Sequence, residues 1–143
     1  MRVLALDVGT KRIGVALSDP FGWTAQGLNV LPRRCDRDDH QAILDLCREH
    51  QVERVIVGIP LDQEGAYGVS AKRIERFRQS LAQFLKAAGL TIPVEGWDER
   101  YSTAEAEERL LTADVSRAKR RKVIDKMAAV VILENYLREH PQE

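Results

Sequence analysis

The sequence begins with a strand-length run, Val3–Leu6, in which every position is apolar and which ends directly in the carboxylate of Asp7. A strand that is apolar on both faces is typical of the centre of a sheet covered by helices on both sides. A charge at such a place is costly unless it is paired or binds a metal ion. Asp7, which alternation puts on the same face as Ala5, is therefore either a turn residue before Gly9 and Thr10 or part of a functional site.

Length and composition indicate one domain spanning residues 1–143. The chain has 143 residues, 44% of them hydrophobic, which is enough to bury a core without disulfides. No apolar run approaches the roughly 20 residues that span a bilayer, and no signal-peptide pattern precedes the first strand. Cys35 and Cys47 lie far apart without a metal-binding spacing, so we expect free thiols in a reducing compartment. The sequence predicts a cytoplasmic protein with no membrane partner.

The order of hydrophobic patterns predicts a mixed α/β sheet. Three strand patterns come first, and the short turn after the first of them indicates an antiparallel meander. Helical and strand patterns then alternate, which predicts five strands with helices on the faces of the sheet. The predicted strands are Val3–Leu6, Ile13–Ser18, Gly27–Leu31, Val52–Pro60 and Ile92–Trp97; the predicted helices lie around Ile43–Cys47 and Ile74–Leu85, after the capping-box pattern Ser102–Glu105, and at Lys119–Leu137; Arg33–Asp39 is predicted as a polar break.

The charges are balanced overall but unevenly distributed. Lys and Arg together number 22, and so do Asp and Glu. Acidic residues dominate Glu95–Glu108, whereas basic residues dominate Arg117–Lys126. The first segment repels phosphate and the second attracts it. The basic run is therefore either a track for nucleic acid or a solvated helix start.

A second carboxylate faces the predicted core from the last helix. By the i, i+3, i+4 rule, Asp125 shares a stripe with Ala128, Ala129 and Ile132. A carboxylate in the first turn of a helix would only satisfy the helix dipole, but the helical run starts several residues before Asp125. The small residues Ala128 and Ala129 would let this part of the helix approach the sheet. We therefore expect Asp125 to lie near the end of the first strand.

A third acidic site, Asp98 and Glu99, follows the predicted strand Ile92–Trp97. Ligands tend to bind at strand ends of an open α/β sheet, although an acidic pair followed by Arg100 is also common in solvated loops. If the three places converge, three or four carboxylates meet, and divalent cations would relieve their repulsion. Ligands that are all oxygen favour magnesium or manganese over zinc.

Four segments, in order, resemble the motifs of the YqgF/RuvX family of bacterial ribonuclease H-like nucleases. These segments are LALDVGTKRIGVALSD, VIVGIPL, DERYSTAEAE and DKMAAVVILENYL, and the resemblance covers nearly the whole chain. It implies an α/β ribonuclease H-like fold, which is a five-stranded mixed sheet whose first three strands are antiparallel and whose faces are flanked by helices.

The resemblance also implies roles for the carboxylates. Asp7 would be a metal ligand on the first strand, Asp125 a ligand on the last helix, and one acid of Asp98 and Glu99 the third ligand. We favour Glu99 as the ligand and retain Asp98 as a further catalytic candidate. Related resolvases carry a glutamate after the fourth strand, where this chain has Gly58–Leu61, so the missing carboxylate must come from elsewhere.

The same resemblance implies a two-metal phosphodiesterase with Mg²⁺ or Mn²⁺ as cofactor. Two cations about 4 Å apart activate an attacking water and stabilise the leaving oxygen of a phosphodiester. Basic side chains would hold neighbouring phosphates of the nucleic acid. Lys72, Arg73 and Arg76 are an alternative set of phosphate-binding residues. The nucleic-acid-binding candidates are Lys11, Arg12, Arg100, Arg117, Lys119, Arg120, Arg121 and Lys122.

The resemblance leaves two substrates open. Processing of the 5′ end of pre-16S rRNA comes first because the family is tied to ribosome maturation, and the partners would then be nucleic acid and the small-subunit precursor. Cutting of Holliday junctions is the alternative; it needs a homodimer, whereas rRNA processing is open to a monomer.

Two functions of other classes remain, a structural assembly factor and a non-catalytic phosphate- or nucleotide-binding module. The binding module remains because Asp-x-Gly-Thr hairpins also cradle phosphate in actin-like proteins and sugar kinases. Those proteins pair two copies of the fold, and this chain has the length of one.

Overall fold

A computed structural model describes residues 1–61, 65–99 and 117–140, with the side chains of the last range described from residue 124 onward. The helix predicted after the Ser102–Glu105 pattern lies outside the described residues. In chain order the described elements are β1 (Val3–Val8), β2 (Arg12–Ser18), β3 (Ala25–Pro32), α1 (Asp36–Glu49), β4 (Arg54–Ile59), α2 (Val69–Ala87), β5 (Val94–Asp98) and α3 (Arg117–Glu139).

The strands form one five-stranded sheet in the order β3-β2-β1-β4-β5. β1 pairs antiparallel with β2, and β2 pairs antiparallel with β3. β4 lies parallel to both β1 and β5. The predicted mixed sheet with an antiparallel start is therefore confirmed, and the carboxyl ends of β1, β4 and β5 meet at one edge.

Alternation along β1 assigns its side chains to two separate cores. Leu4 and Leu6 are fully buried on the face covered by α1 and α2. Val3 and Ala5 are fully buried on the opposite face, against Ala129 and other residues of α3. The sheet is thus covered on both sides, as an all-apolar central strand requires. We call the two sides the α1/α2 face and the α3 face.

The predicted polar break at Arg33–Asp39 is wrong in part, because α1 already begins at Asp36. Three aspartates stand in the first turn of this helix, where they interact favourably with its dipole. The last of them, Asp39, is buried and accepts hydrogen bonds from Arg33 Nε at 2.9 Å and from the backbone N–H of Arg34 at 3.0 Å. The polar residues therefore start the helix and join it to the end of β3.

Two further features bear on the sequence predictions. Gly89, directly after the C-cap of α2, has a φ of +87°, which explains why the helix ends where the sequence predicted. Cys35 and Cys47 are both free thiols, as expected. In the described part of the chain, no helix is long and apolar enough to cross a bilayer.

Candidate active site

The first carboxylate, Asp7, is the half-buried residue of an otherwise buried strand. Its place in the alternation of β1 puts it on the α3 face, with Val3 and Ala5. Across the antiparallel ladder its partner is Gly14 of β2. The carboxylate therefore stands between the sheet and α3, at the edge where β1, β4 and β5 end.

The structure separates the neighbouring acids Asp98 and Glu99. Asp98 is the last residue of β5 and is exposed, whereas Glu99 is 9% exposed. Pairing with β4 continues past the strand end, because the backbone N–H of Glu99 donates to the carbonyl of Ile59 at 3.1 Å. Alternation then puts Glu99 on the side of Trp97, which packs on the α3 face, and Asp98 on the opposite side.

Asp7 and Glu99 share a hydrogen bond between their carboxyl groups. Burial raises the pKa of Glu99 to about 9, and the negative charges of Asp7 and Asp98 act in the same direction. Burial also raises the pKa of Asp7 to about 6; the bond from Glu99 opposes this rise and the charge of Asp125 adds to it. Burial and mutual repulsion therefore make it unfavourable for both carboxyl groups to be charged at the same time.

Gly58 of β4 makes room for the Glu99 carboxyl group. A Cβ placed on Gly58 would lie 2.7 Å from Oε2 and 2.9 Å from Cδ of Glu99, and 2.6 Å from Cδ1 of Ile132 on α3. Real Cβ atoms essentially never approach heavy atoms so closely. The Glu99 side chain thus occupies the space that a larger residue at position 58 would fill.

Asp125 reaches the site because α3 approaches the sheet very closely. A Cβ on Gly14 would overlap the backbone carbonyl of Asp125, so only glycine fits there. Gly14 is also the ladder partner of Asp7. Gly14 thereby lets α3 pack closely against β2, the strand that pairs with β1 at Asp7. The charge of Asp125 raises the pKa of Asp7.

The guanidinium of Arg12 already forms an ion pair with Asp125. The Nε of Arg12, at the start of β2, donates to Oδ2 of Asp125 in an ion pair whose side chains are 31% and 24% exposed. Lys11 is exposed in the turn between β1 and β2. Lys11, Arg12, Ile124 and Asp125 line an open cavity of about 380 Å³. Two of the predicted phosphate-binding residues therefore stand directly beside the carboxylates.

The structure brings Asp7 together with both Glu99 and Asp125, but the side chains do not surround one common point. Among residues 1–61, 65–99 and 117–140, no three His, Cys, Asp or Glu side chains are already arranged to hold a metal ion. Asp7 and Glu99 instead contact each other, and Asp125 is paired with Arg12. Glu99 Oε2 is the exception, because it is buried and has no hydrogen-bond partner among the described residues.

The other predicted phosphate-binding residues lie largely outside the described part. Arg100 is outside the described residues. The run Arg117–Lys122 is helical and forms the first turns of α3, as predicted, but its side chains are outside the described part. Their contact with nucleic acid stays a prediction.

The sequence matches a known protein family over almost its whole length. The family described as "RuvX: Holliday junction resolvase" matches residues 1–139. The chain belongs to the RuvX family. A relative from Pelotomaculum thermopropionicum, named "Putative pre-16S rRNA nuclease", is 49% identical over 138 residues, which are 96% of this chain and 86% of the relative. A relative of the same name from Syntrophomonas wolfei is 47% identical over 137 residues, 96% of this chain and 94% of the relative.

Solved structures support the fold of this RuvX family member. RuvC of T. thermophilus, in complex with a Holliday junction substrate, covers 100% of this chain and 98% of its own with a TM-score of 0.61 and 16% identity. The Fowlpox virus resolvase, also in complex with junction DNA, covers 99% and 100% with a TM-score of 0.59 and 11% identity. The ribonuclease H-like fold implied by the sequence resemblance is therefore confirmed.

Sequence reasoning missed the two glycines that shape the candidate site of this RuvX family member. Gly14 and Gly58 stand inside strands, where glycine is unfavourable unless another group approaches the backbone closely. That signal was available in the sequence, but it does not name the approaching group. The structure identifies the carbonyl of Asp125 for Gly14 and the carboxyl of Glu99 for Gly58.

Proposed function

We propose that this RuvX family member is a metal-dependent nuclease that hydrolyses phosphodiester bonds during 5′-end processing of pre-16S rRNA. The observation that carries the proposal is the interaction of Asp7 with both Glu99 and Asp125 on the α3 face of the sheet. The names of the relatives from P. thermopropionicum and S. wolfei support the substrate. A precursor-rRNA substrate places the protein in the cytoplasm, with nucleic acid and the small-subunit precursor as partners.

The donor set fits a hard divalent cation. Asp7, Glu99 and Asp125 offer only oxygen atoms, which Mg²⁺ and Mn²⁺ prefer. Glu99 Oε2 is a buried acceptor with no partner in the described part of the chain, and such atoms are rare in folded proteins unless a ligand completes them. We therefore assign these three residues as the ligands. When bound, a pair of such ions activates the attacking water and stabilises the leaving 3′ oxygen.

The residues around the ligands bind and orient the substrate. Lys11 and Arg12 border the open cavity beside Asp125, where their charges would hold phosphates next to the scissile bond. Once Arg12 contacts a phosphate, Asp125 is released from its ion pair and becomes available as a ligand. Asp98 lies on the opposite face and acts through Glu99, whose pKa its charge raises. Asp98 is therefore proposed as a positioning residue.

The proposal is tested by incubating the purified protein with an end-labelled pre-16S 5′ leader, an unrelated single-stranded RNA and a four-way DNA junction. Each substrate is incubated with Mg²⁺, with Mn²⁺ and with excess EDTA. We expect cleavage of the leader with either ion, products with 5′-phosphate and 3′-hydroxyl ends, and none in EDTA. Asp7→Asn controls for a contaminating nuclease, and robust wild-type cleavage in EDTA contradicts metal dependence.

Holliday junction resolution is the second candidate, favoured by the description of the family and by the full-length fold match to RuvC. Resolution requires two symmetric cuts and therefore two copies of the site. Paired nicks at symmetric positions of the junction, together with a dimer in sedimentation analysis, would favour this substrate over the leader. Cleavage of the leader by a monomer that leaves the junction uncut would exclude it.

A non-catalytic phosphate- or nucleotide-binding module and a structural assembly factor are the remaining readings. Both predict that the wild-type protein binds the leader or a nucleotide without cutting any of the three substrates under any metal condition. The same incubation series therefore separates them from the nuclease.

A further inference from the structure

A cationic cavity lies at the same edge of the sheet as Asp7 but on the opposite face. Its volume is about 300 Å³, and its lining includes Val8, which follows Asp7 directly in β1. Val8 belongs to the α1/α2 face, whereas Asp7 is on the α3 face. The cavity and the carboxylates are therefore separated by the end of one strand and the turn that follows it. Besides Val8, the lining includes Arg33, Asp36, Arg73, Arg76 and Phe77.

Arg33 forms the fixed part of this cavity. Its Nε donates to the buried Asp39 at 2.9 Å and its Nη1 donates to the carbonyl of Gly9 at 2.8 Å. The guanidinium also lies over the ring of Phe77, with 5.3 Å between Cζ and the ring centroid. Arg33 therefore ties the turn after β1 to α1 and α2, and its donors are largely used within the fold.

Arg73 and Arg76 differ from Arg33 because they are exposed and make no hydrogen bond or ion pair with any residue in the described part of the chain. They stand three residues apart, on one side of the first turns of α2. That end of the helix carries the positive end of its dipole, and its first turn has no acidic residue. The lining as a whole has three arginines and one aspartate. Such an excess of positive charge suits an anion.

We propose that Arg73 and Arg76 bind backbone phosphates of the substrate strand, so that the strand passes around the β1–β2 turn from the α1/α2 face to the carboxylates. This inference rests on the proposed function and names a second contact of the same substrate. Lys11, exposed in that turn, lies on the connecting path. The aromatic residue of the lining, Phe77, is 5% exposed, so it offers no ring for a base to stack on. The contact therefore recognises phosphate charge and is independent of sequence.

The test measures binding of a fluorescein-labelled single-stranded RNA of mixed sequence by anisotropy, in EDTA, over a series of salt concentrations. Arg73→Gln with Arg76→Gln is compared with a matched control, Lys86→Gln with Arg138→Gln. The control removes the same two charges from the last turns of α2 and α3, away from the cavity. We expect the arginine variant to bind roughly tenfold more weakly, because two exposed contacts with phosphates of the strand are lost. Its slope of log affinity against log salt should fall by about 1.4, since each phosphate contact on a single strand contributes about 0.7.

The control variant should keep the wild-type slope. Arg73→Lys with Arg76→Lys keeps both charges and should restore most of it, which separates phosphate binding from a change in folding. Equal affinity and slope in the arginine variant and in the control overturn the proposal. Failure of the wild type to cut any substrate would instead refute the nuclease, while the binding comparison would still decide whether this cavity contacts RNA.

Discussion

Glu99 Oε2 lies 2.7 Å from the point where a Cβ on Gly58 would stand. Gly58 lies on β4, and Glu99 directly follows β5, the neighbouring parallel strand, in which Asp98 pairs with Ile59 of β4. Because Gly58 has no side chain, the carboxyl group from the end of β5 enters the space below the end of β4. In this chain the carboxylate beside the end of β4 is therefore supplied from the end of β5. It fits there only because residue 58 is glycine.

Gly58→Ala should disrupt the site. The new methyl group would overlap both the Glu99 carboxyl and Cδ1 of Ile132, so one of them must move. We expect the free energy of unfolding to fall by about 1–3 kcal/mol, the usual cost of overpacking. Displacing Glu99 by about 1 Å should lower the turnover rate on the order of 100-fold. Urea unfolding and single-turnover cleavage measure the two effects.

The matched control for this change is Gly96→Ala on β5. A Cβ there would lie 3.0 Å from Cγ1 of Ile59, which would have to shift by a few tenths of an ångström, and no carboxylate is among its three nearest contacts. Its activity should stay within a few-fold of wild type. Full activity in Gly58→Ala would show that Glu99 does not need its present position.

Glu99→Gln and Asp98→Asn should differ sharply in activity. Glu99 is buried beside Asp7, whereas Asp98 is exposed on the other face. If Glu99 is a metal ligand, Glu99→Gln should lower the turnover rate at least roughly 100-fold, beyond the effect of losing a residue that supports a ligand. Asp98→Asn should cost only a few-fold. The reverse order of the two rates would exchange the roles of these acids.

Arg12→Gln tests the ion pair with Asp125. Both side chains are partly exposed, so the pair contributes about 0.2–1 kcal/mol, and the metal-free protein should lose at most that much stability. Removing a positive charge beside a carboxylate also favours cation binding. In calorimetric titration, we expect Mn²⁺ to bind Arg12→Gln more tightly than it binds wild type, with Arg138→Gln unchanged. Weaker Mn²⁺ binding in Arg12→Gln would refute the competition between guanidinium and metal.

His40 should make stability fall at mildly acidic pH. Burial lowers its pKa, the charges of Asp36 and Asp39 oppose this, and Arg33 adds to it. On α2 it contacts the uncharged Ser80, with 2.9 Å between Nε2 and Oγ, and the rings of Phe77 and Phe84.

A depressed histidine pKa means that the unfolded chain takes up the proton first. Stability from His40 is therefore fully present above the unfolded pKa, about 6.5, and is lost as the pH falls below it. Urea unfolding of wild type and His40→Gln over a pH series measures the difference, which should shrink toward acid pH. His50→Gln is the control, and a pH-independent difference for His40→Gln would contradict the assignment.

The basic run at the start of α3 is expected to add phosphate contacts of its own. Changing Arg117, Lys119, Arg120, Arg121 and Lys122 to Gln should weaken RNA binding similarly across sequences and flatten the salt dependence. At saturating substrate the turnover rate should fall much less than the affinity. An unchanged salt slope would make this run a solvated helix start and leave phosphate binding to Lys11, Arg12 and α2.

The sequence by itself determined the sheet and the face on which each residue inside an element lies. Alternation along Val3–Val8 and the helical stripe of Asp125 follow from fixed periods of the backbone, which do not depend on the rest of the chain. These periods put Asp7 and Asp125 on the surfaces that meet in the structure.

Only the tertiary structure decided what happens where elements end or touch. Asp98 and Glu99 are adjacent at a strand end, and the bond from the Glu99 N–H to Ile59 fixes which of them faces Asp7. The alternation of side chains along β5 cannot predict which acid faces Asp7, because it does not show how far the pairing of β5 with β4 continues past the end of the strand. The close approaches at Gly14 and Gly58 likewise depend on the distance between packed elements, which is set by every side chain between them.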